Sequence, residues 1–413
     1  MSHVRKLLWK LLLSRSPSHR IWEPNRRNTA ASLFLLLLML PIAVVVFPLL
    51  LARVLIAGKI RLFILKPYAE FAFMLYMLER IRGGDLVHQR PDVVLIRAPF
   101  RHKGLTHLYG RHLRCFICWS SGITTSIAQV CLLQPSWIVD RIVLTTDDFT
   151  RFQMVEEPVK PSSKLQKLQN RVLAEHNVNP TRYVAMAVYT STREEKLDSG
   201  YSWKSVVRET VGSQLVKGVD FLKSNGVDLV MLGFPDTGKA HVPRRFPRLT
   251  DFGQIGGLHE VALAGGCLYF WADDVGAQWL REPFKKPVLL TNAAEVFGPK
   301  SQFSDNAVKR FLSVPIQFQT PSGHRLSIRE QLSLSPRRFE ALARGDVSVI
   351  RNSPDDIVEA HQEMLSRIEG TWIEDDHVKE LYERLERIYR DFPQYPNRPL
   401  PANYLLRYPY LLD

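Results

Sequence analysis

From residue 81 onward, short apolar runs alternate with longer stretches of helical periodicity. The runs Asp92–Ala98, Arg141–Thr145, Arg182–Tyr189, Asp228–Leu232, Cys267–Trp271 and Pro287–Leu290 are rich in Val, Ile, Leu and aromatics and predict buried strands. Helices are predicted between them at Gly122–Leu133, Ser205–Ser224, 255–265 and 274–281. In Ser205–Ser224 the apolar positions Val207, Val211, Leu215, Val219 and Leu222 recur at helical spacing, and Asn225-Gly226 supplies the stop. Residues 156–170 hold Pro158 and Pro161 and predict a linker running into a helix. Three more helices follow at Ser335–Arg344, Pro354–Glu369 and Asp375–Arg390. The Pro- and Tyr-rich tail from Phe392 is expected to lie across the surface.

Strands separated by helices imply βαβ units and parallel sheets. The fold class is therefore α/β, with two doubly wound Rossmann-like domains split near residue 165. The expected order is a basic segment 1–28, a membrane anchor with a juxtamembrane helix at 29–80, domains at 81–165 and 166–325, and a helical extension at 326–413. Ligands of such domains bind at the carboxyl ends of the strands.

The N-terminal part has a different pattern. Ala30–Ala52 lies within an uncharged stretch long enough to cross about 30 Å of hydrocarbon as a helix. Pro41 and Pro48 would kink it, which membrane helices tolerate. Arg26, Arg27, Arg53, Lys59 and Arg61 flank it on both sides, so charge leaves its orientation open. Leu62–Leu78 carries Lys66, Pro67 and Glu70 and either closes a shallow hairpin or lies in the interface. The basic region is too long for a cleaved leader, which favours a retained segment.

Charge supports that division. The 413 residues carry a net charge of +14. Residues 1–114 hold 19 Lys+Arg against 5 Asp+Glu, so the remainder is neutral. A basic excess confined to the flanks of an apolar run indicates anionic lipid headgroups and no nucleic acid. Four cysteines exclude a disulfide scaffold, and Cys115-x-x-Cys118 fits two small thiols in an apolar strand better than a metal pair. His259 and Glu260 stand without a matching ligand pattern, so no metal site is expected. GFPDTGKA (Gly233–Ala240) approaches a phosphate loop, but Ala240 replaces the Mg²⁺-binding hydroxyl and Pro243 and Pro247 break the following helix. It fits a ligand-site rim better.

SGYSWKSVVRET (Ser199–Thr210), DLVMLG, CLYFWADDVG, KPVLLTN, LSIREQLSLS (Leu326–Ser335) and NSPDDIVEAHQEM (Asn352–Met364) occur in an order that resembles a family of bacterial glycosyltransferases of two-domain GT-B architecture, associated with surface polysaccharides. The resemblance covers roughly residues 79–370. GGDLVHQRP (Gly83–Pro91) is similar to the Gly-Asp/His-Leu segment of that family and of heptosyltransferases. The resemblance implies sugar transfer from a nucleotide-sugar donor to a lipid-linked or surface-glycan acceptor, at the cytoplasmic face of an inner membrane. It implies no cofactor and no catalytic metal. Arg208 matches the family's Arg in its helix. AMAVYTST lacks the Arg that the family shows there, Met231 stands where an Arg is common, and Val275-Gly276 replaces Ser-Gly. These departures leave open a non-catalytic partner protein in a glycan assembly complex.

Sugar transfer needs a base for the acceptor hydroxyl and positive charge or amides for the leaving diphosphate. Asp85, beside Gly83-Gly84, is either that base or a turn cap. Arg208 and Lys239 are the candidates for the donor phosphates, with Gly233 and Asp236 on the same rim. Asp273 and Asp274 either hold ribose hydroxyls or cap the next helix, where Gly276 permits close approach. Arg101, His102, Lys103, His107 and Arg111 either meet an acceptor diphosphate or lipid headgroups, or form a solvated basic face.

Overall fold

The computed structural model describes residues 161–187, 212–232, 258–273, 280–281, 283–293, 310–393 and 399–413. It also describes the strands at 60–65, 93–95, 115–117 and 139–144 and helical positions 41, 44, 45, 47 and 48. The chain forms two compact units. One holds Met1–His102 and Thr106–Thr146; the other holds Lys103–Leu105 and Asp147–Asp413.

The first unit contains a four-stranded parallel sheet of β1 (Ile60–Leu65), β2 (Val93–Leu95), β3 (Cys115–Ile117) and β4 (Val139–Leu144). The spatial order is β3-β2-β1-β4. β1 pairs in parallel with both β2 and β4. β1 thus corrects part of an expectation: Leu62–Leu65, the start of the stretch Leu62–Leu78 read as a shallow hairpin or an interfacial helix, lies in a central strand, and residues 66–78 lie outside the described residues. The apolar residues of β1 meet neighbouring strands, a context that residue composition alone does not reveal. No helix among the described residues is long and apolar enough to cross a membrane. The run Ala30–Ala52 lies outside the described residues except at Pro41, Val44, Val45, Phe47 and Pro48.

The second unit is built on a five-stranded parallel sheet: β5 (Tyr183–Ala187), β6 (Asp228–Met231), β7 (Phe270–Ala272), β8 (Val288–Ala293) and β9 (Phe311–Pro315). The order is β6-β5-β7-β8-β9. Helices cover both faces, as strands buried on both sides require. Along β5 successive side chains alternate between them. Tyr183 bonds the face of α1 (Ser163–Glu175) and α3 (Leu258–Gly266), through Gln169 at 3.2 Å and the Leu263 carbonyl at 2.7 Å. Val184 and Met186 join the opposite core with Leu215, Val219 and Leu222 of α2 (Gly212–Ser224). Each of those three side chains, buried at helical spacing, contributes roughly 1.5–3 kcal/mol. α2 ends at Asn225-Gly226 as predicted, with Gly226 at φ +68°.

After β9 the chain forms a two-stranded antiparallel ribbon, β10 (Gln317–Gln319) with β11 (Ser348–Ile350). Between them lie α4 (Ile328–Leu334) and α5 (Arg338–Arg344). Ser335–Arg337 is a 3-10 turn carrying a proline, which shortens the helix expected from Ser335. α6 (Pro354–Glu369) opens with a capping box of Ser353 and Asp356, and Asp375 caps α7 (Asp376–Asp391). The tail contradicts the expected surface course. Leu400, Ala402, Tyr404, Leu405, Leu411 and Leu412 are buried, and α8 (Ala402–Arg407) belongs to it. With α6 and α7 it completes the core over β5, β7, β8 and β9, whereas Leu326, Ala341, Leu342 and Val347 form a separate cluster with Ile316 and Phe318. The driving force is apolar area: the tail carries the side chains that close this face.

Candidate functional site at the carboxyl edge of the second sheet

In a doubly wound sheet the crevice opens where strand order reverses. In the second sheet that point lies between β5 and β7, because β6 returns to the other side of β5. The first sheet reverses between β1 and β4 by the same rule.

Asp273 follows β7 at this edge and is fully buried. It is the one sequence-predicted site residue among those described. Asp85, Arg208, Gly233, Asp236, Lys239, Asp274, Gly276, Arg101, His102, Lys103, His107 and Arg111 lie outside the described residues. Met231 is half-buried and packs on the core beneath the edge. Among the described residues no group of three or more His, Cys, Asp or Glu side chains could hold a metal ion.

Next to Asp273 the edge carries a buried polar cluster that sequence reasoning did not single out. Asn292 near the end of β8 has φ +49° and no exposed surface. Its N–H donates to Asn352 Oδ1, and the Asn352 N–H donates back to Asn292 Oδ1 at 2.9 Å. Asn352 Nδ2 donates to the Pro315 carbonyl at the end of β9 at 2.8 Å. Gln214 of α2 donates to the Asn352 carbonyl at 3.2 Å and accepts from Asn292 Nδ2 at 3.5 Å. Tyr404 from the tail donates to the same Pro315 carbonyl at 2.9 Å. Both asparagines lie within the stretches KPVLLTN and NSPDDIVEAHQEM, so the sequence signal was at hand. What it lacked was the pairing.

Beneath this cluster Trp271 Nε1 donates to Thr291 Oγ1 at 2.9 Å. His361 of α6 stands edge-on to Trp271 at 4.2 Å between ring centroids, and its Nδ1 shares a 2.6 Å hydrogen bond with the Tyr269 hydroxyl. Burial pushes the imidazole down to about 3 and the Tyr269 hydroxyl well above its ordinary value. His361 is therefore neutral at physiological pH and is a structural ring under the edge.

No protein-family profile and no curated protein sequence matches the chain. Solved structures do. A family 9 glycosyltransferase from Veillonella parvula aligns over 74% of this chain and 97% of its own, at 9% identity and a TM-score of 0.45. The iron-containing dodecameric heptosyltransferase TibC of enterotoxigenic E. coli, in complex with ADP-D-beta-D-heptose, aligns over 77% and 79% at 14% identity and a TM-score of 0.35. E. coli heptosyltransferase WaaC aligns over 69% and 99% at 10% identity and a TM-score of 0.33. These neighbours are glycosyltransferases. Identities of 9–14% and TM-scores below 0.5 establish no activity for this chain.

Proposed function

We propose that this protein is a membrane-anchored glycosyltransferase of GT-B architecture. It moves a sugar from a nucleotide-sugar to a lipid-linked or surface-polysaccharide acceptor at the cytoplasmic face of an inner membrane. The observation that carries the reading is the pair of parallel sheets in one chain, each with a reversal of strand order and hence a crevice at its carboxyl edge. The motif order from Ser199 to Met364 supports the same assignment, and the apolar run with its basic flanks supports the anchor.

In this reading Asp85 takes the proton of the acceptor hydroxyl. The acceptor oxygen forms the new bond to the anomeric carbon while the bond from that carbon to the diphosphate oxygen breaks. Arg208 and Lys239 hold the charge that develops on the departing nucleoside diphosphate. Gly233 and Asp236 line the donor rim, Asp274 holds the ribose while the fully buried Asp273 takes the capping role, and Gly276 lets the main chain approach. Arg101, His102, Lys103, His107 and Arg111 meet the acceptor's diphosphate or the lipid surface. The chemistry requires no metal in this scheme.

The test is transfer and donor hydrolysis by the full chain in lipid nanodiscs, across a panel of nucleotide-sugars, with calorimetry of nucleoside diphosphates. Turnover of one donor is expected, with at least tenfold loss in Asp85→Asn. No turnover and no nucleotide binding would refute the reading.

A second reading, a non-catalytic member of a glycan assembly complex, is favoured by one observation. Where the resemblance expects a cationic side chain, Met231 packs against the core. It predicts no heat with any nucleoside diphosphate.

A further inference from the structure

Three features coincide at the exits of β8 and β9, and none is needed to close a hydrophobic core. First, Asn292 adopts a left-handed backbone at φ +49° while fully buried. Such conformations persist only where the surroundings over-determine them, and they concentrate at ligand sites. Second, the β8–β9 register slips between Leu290 and Ala293. Slips of this kind re-aim the chain where a strand leaves its sheet. Third, Asn292, Asn352 and Gln214 form a closed ring of amide contacts with the Pro315 carbonyl. A buried polar network is stabilising only when its members are satisfied, and it then specifies one geometry. The ring joins β8, β9, α2 and the residue that precedes the Ser353 cap of α6. All of this lies on the carboxyl edge, one and two strands along from the β5–β7 crevice at which the ligand of such a sheet binds.

We infer that Asn292, Asn352 and Gln214 are positioning residues for the nucleoside diphosphate part of the donor. This rests on the glycosyltransferase reading. The ring does not touch the reacting atoms. It fixes the main chain at the ends of β8 and β9 relative to α2, so that the edge meets the nucleotide without rearranging. Loosening it therefore weakens donor binding and leaves acceptor binding alone.

The experiment uses the full chain in nanodiscs with nucleoside diphosphates as probes. Asn292→Gly keeps the left-handed backbone accessible and removes the side chain. Asn352→Asp keeps the shape and loses the donor to Pro315. Gln214→Leu removes the outer member of the ring. Each is expected to raise the nucleoside diphosphate Kd and the donor KM at least tenfold, with the acceptor KM unchanged. Lys217→Ala, which breaks a surface pair with Asp355, is expected to change neither. Hydrogen exchange of the unaltered protein gives a readout that needs no variant. The amides of Asn292 and Asn352 are expected to gain at least tenfold protection when the nucleotide binds. Equal Kd in the variants that fold, or unchanged protection, overturns this inference alone. An unaltered protein that binds no nucleotide overturns the glycosyltransferase reading and this inference with it.

Discussion

His361 is fully buried, bonded to the Tyr269 hydroxyl and edge-on to Trp271, with Gly218 of α2 packed against its ring. Its imidazole titrates near 3 in the folded chain because burial disfavours the cation, against an ordinary value of 6.5. A depressed histidine makes the unfolded chain the better proton acceptor. The associated stability is fully present above pH 6.5 and is lost as the pH falls toward 3. At about 1.36 kcal/mol per pH unit, lowering the pH from about 7.5 to about 5 removes about 2 kcal/mol. Asn at this position keeps a polar atom for the Tyr269 hydroxyl and cannot titrate. His361→Asn costs stability at every pH through the lost ring contact with Trp271. It is expected to remove about 2 kcal/mol of the difference between the two pH values. Urea unfolding of both proteins at both pH values, followed by tryptophan fluorescence, reads this directly. His259 is also lowered by burial, so the contrast between the two proteins carries the test and the raw slope does not. An identical pH dependence in the unaltered protein and in His361→Asn would refute the assignment of a neutral, buried ring.

A Cβ at Gly218 would lie 2.8 Å from Ile357 Cγ2 and 3.2–3.3 Å from the His361 ring. Gly218→Ala therefore lowers the melting temperature, because overpacking at about 1–3 kcal/mol outweighs a helix-propensity gain of about 1 kcal/mol; a rise would show that the α2–α6 contact yields. The Glu363 carboxylate accepts from Arg367 and from the Ala402 N–H at 2.7 Å, with 1% of its side chain exposed. Glu363→Gln removes the nearer of two carboxylates on Arg367, leaving Glu374 at 3.9 Å, and is expected to cost about 2 kcal/mol, read as faster proteolytic release of the C-terminal segment. Ser353→Ala removes the acceptor for the Asp356 N–H at 3.1 Å and costs about 1 kcal/mol in urea unfolding.

Apolar runs, helical periodicity and punctuation were sufficient to place most elements of the second unit. Pro354–Glu369 matches to the residue, and Asn225-Gly226 ends α2. These are local properties: strand burial, capping and chain reversal are written in neighbouring residues. The apolar run ending at Trp271 also placed Asp273 just past the carboxyl end of β7. What the chain could not express locally was pairing. Leu62–Leu65 opens a stretch that reads as a shallow hairpin or an interfacial segment until β2 and β4 flank it. The tail from Phe392 looks like a surface strap until Leu400, Tyr404 and Leu411 are seen to seal the core. Asn292 and Asn352 are 60 positions apart, and the bonds between them exist only once β8 and α6 meet. Periodicity senses a residue's own turn or pleat, whereas strand order, core closure and the amide ring depend on partners brought together by the fold.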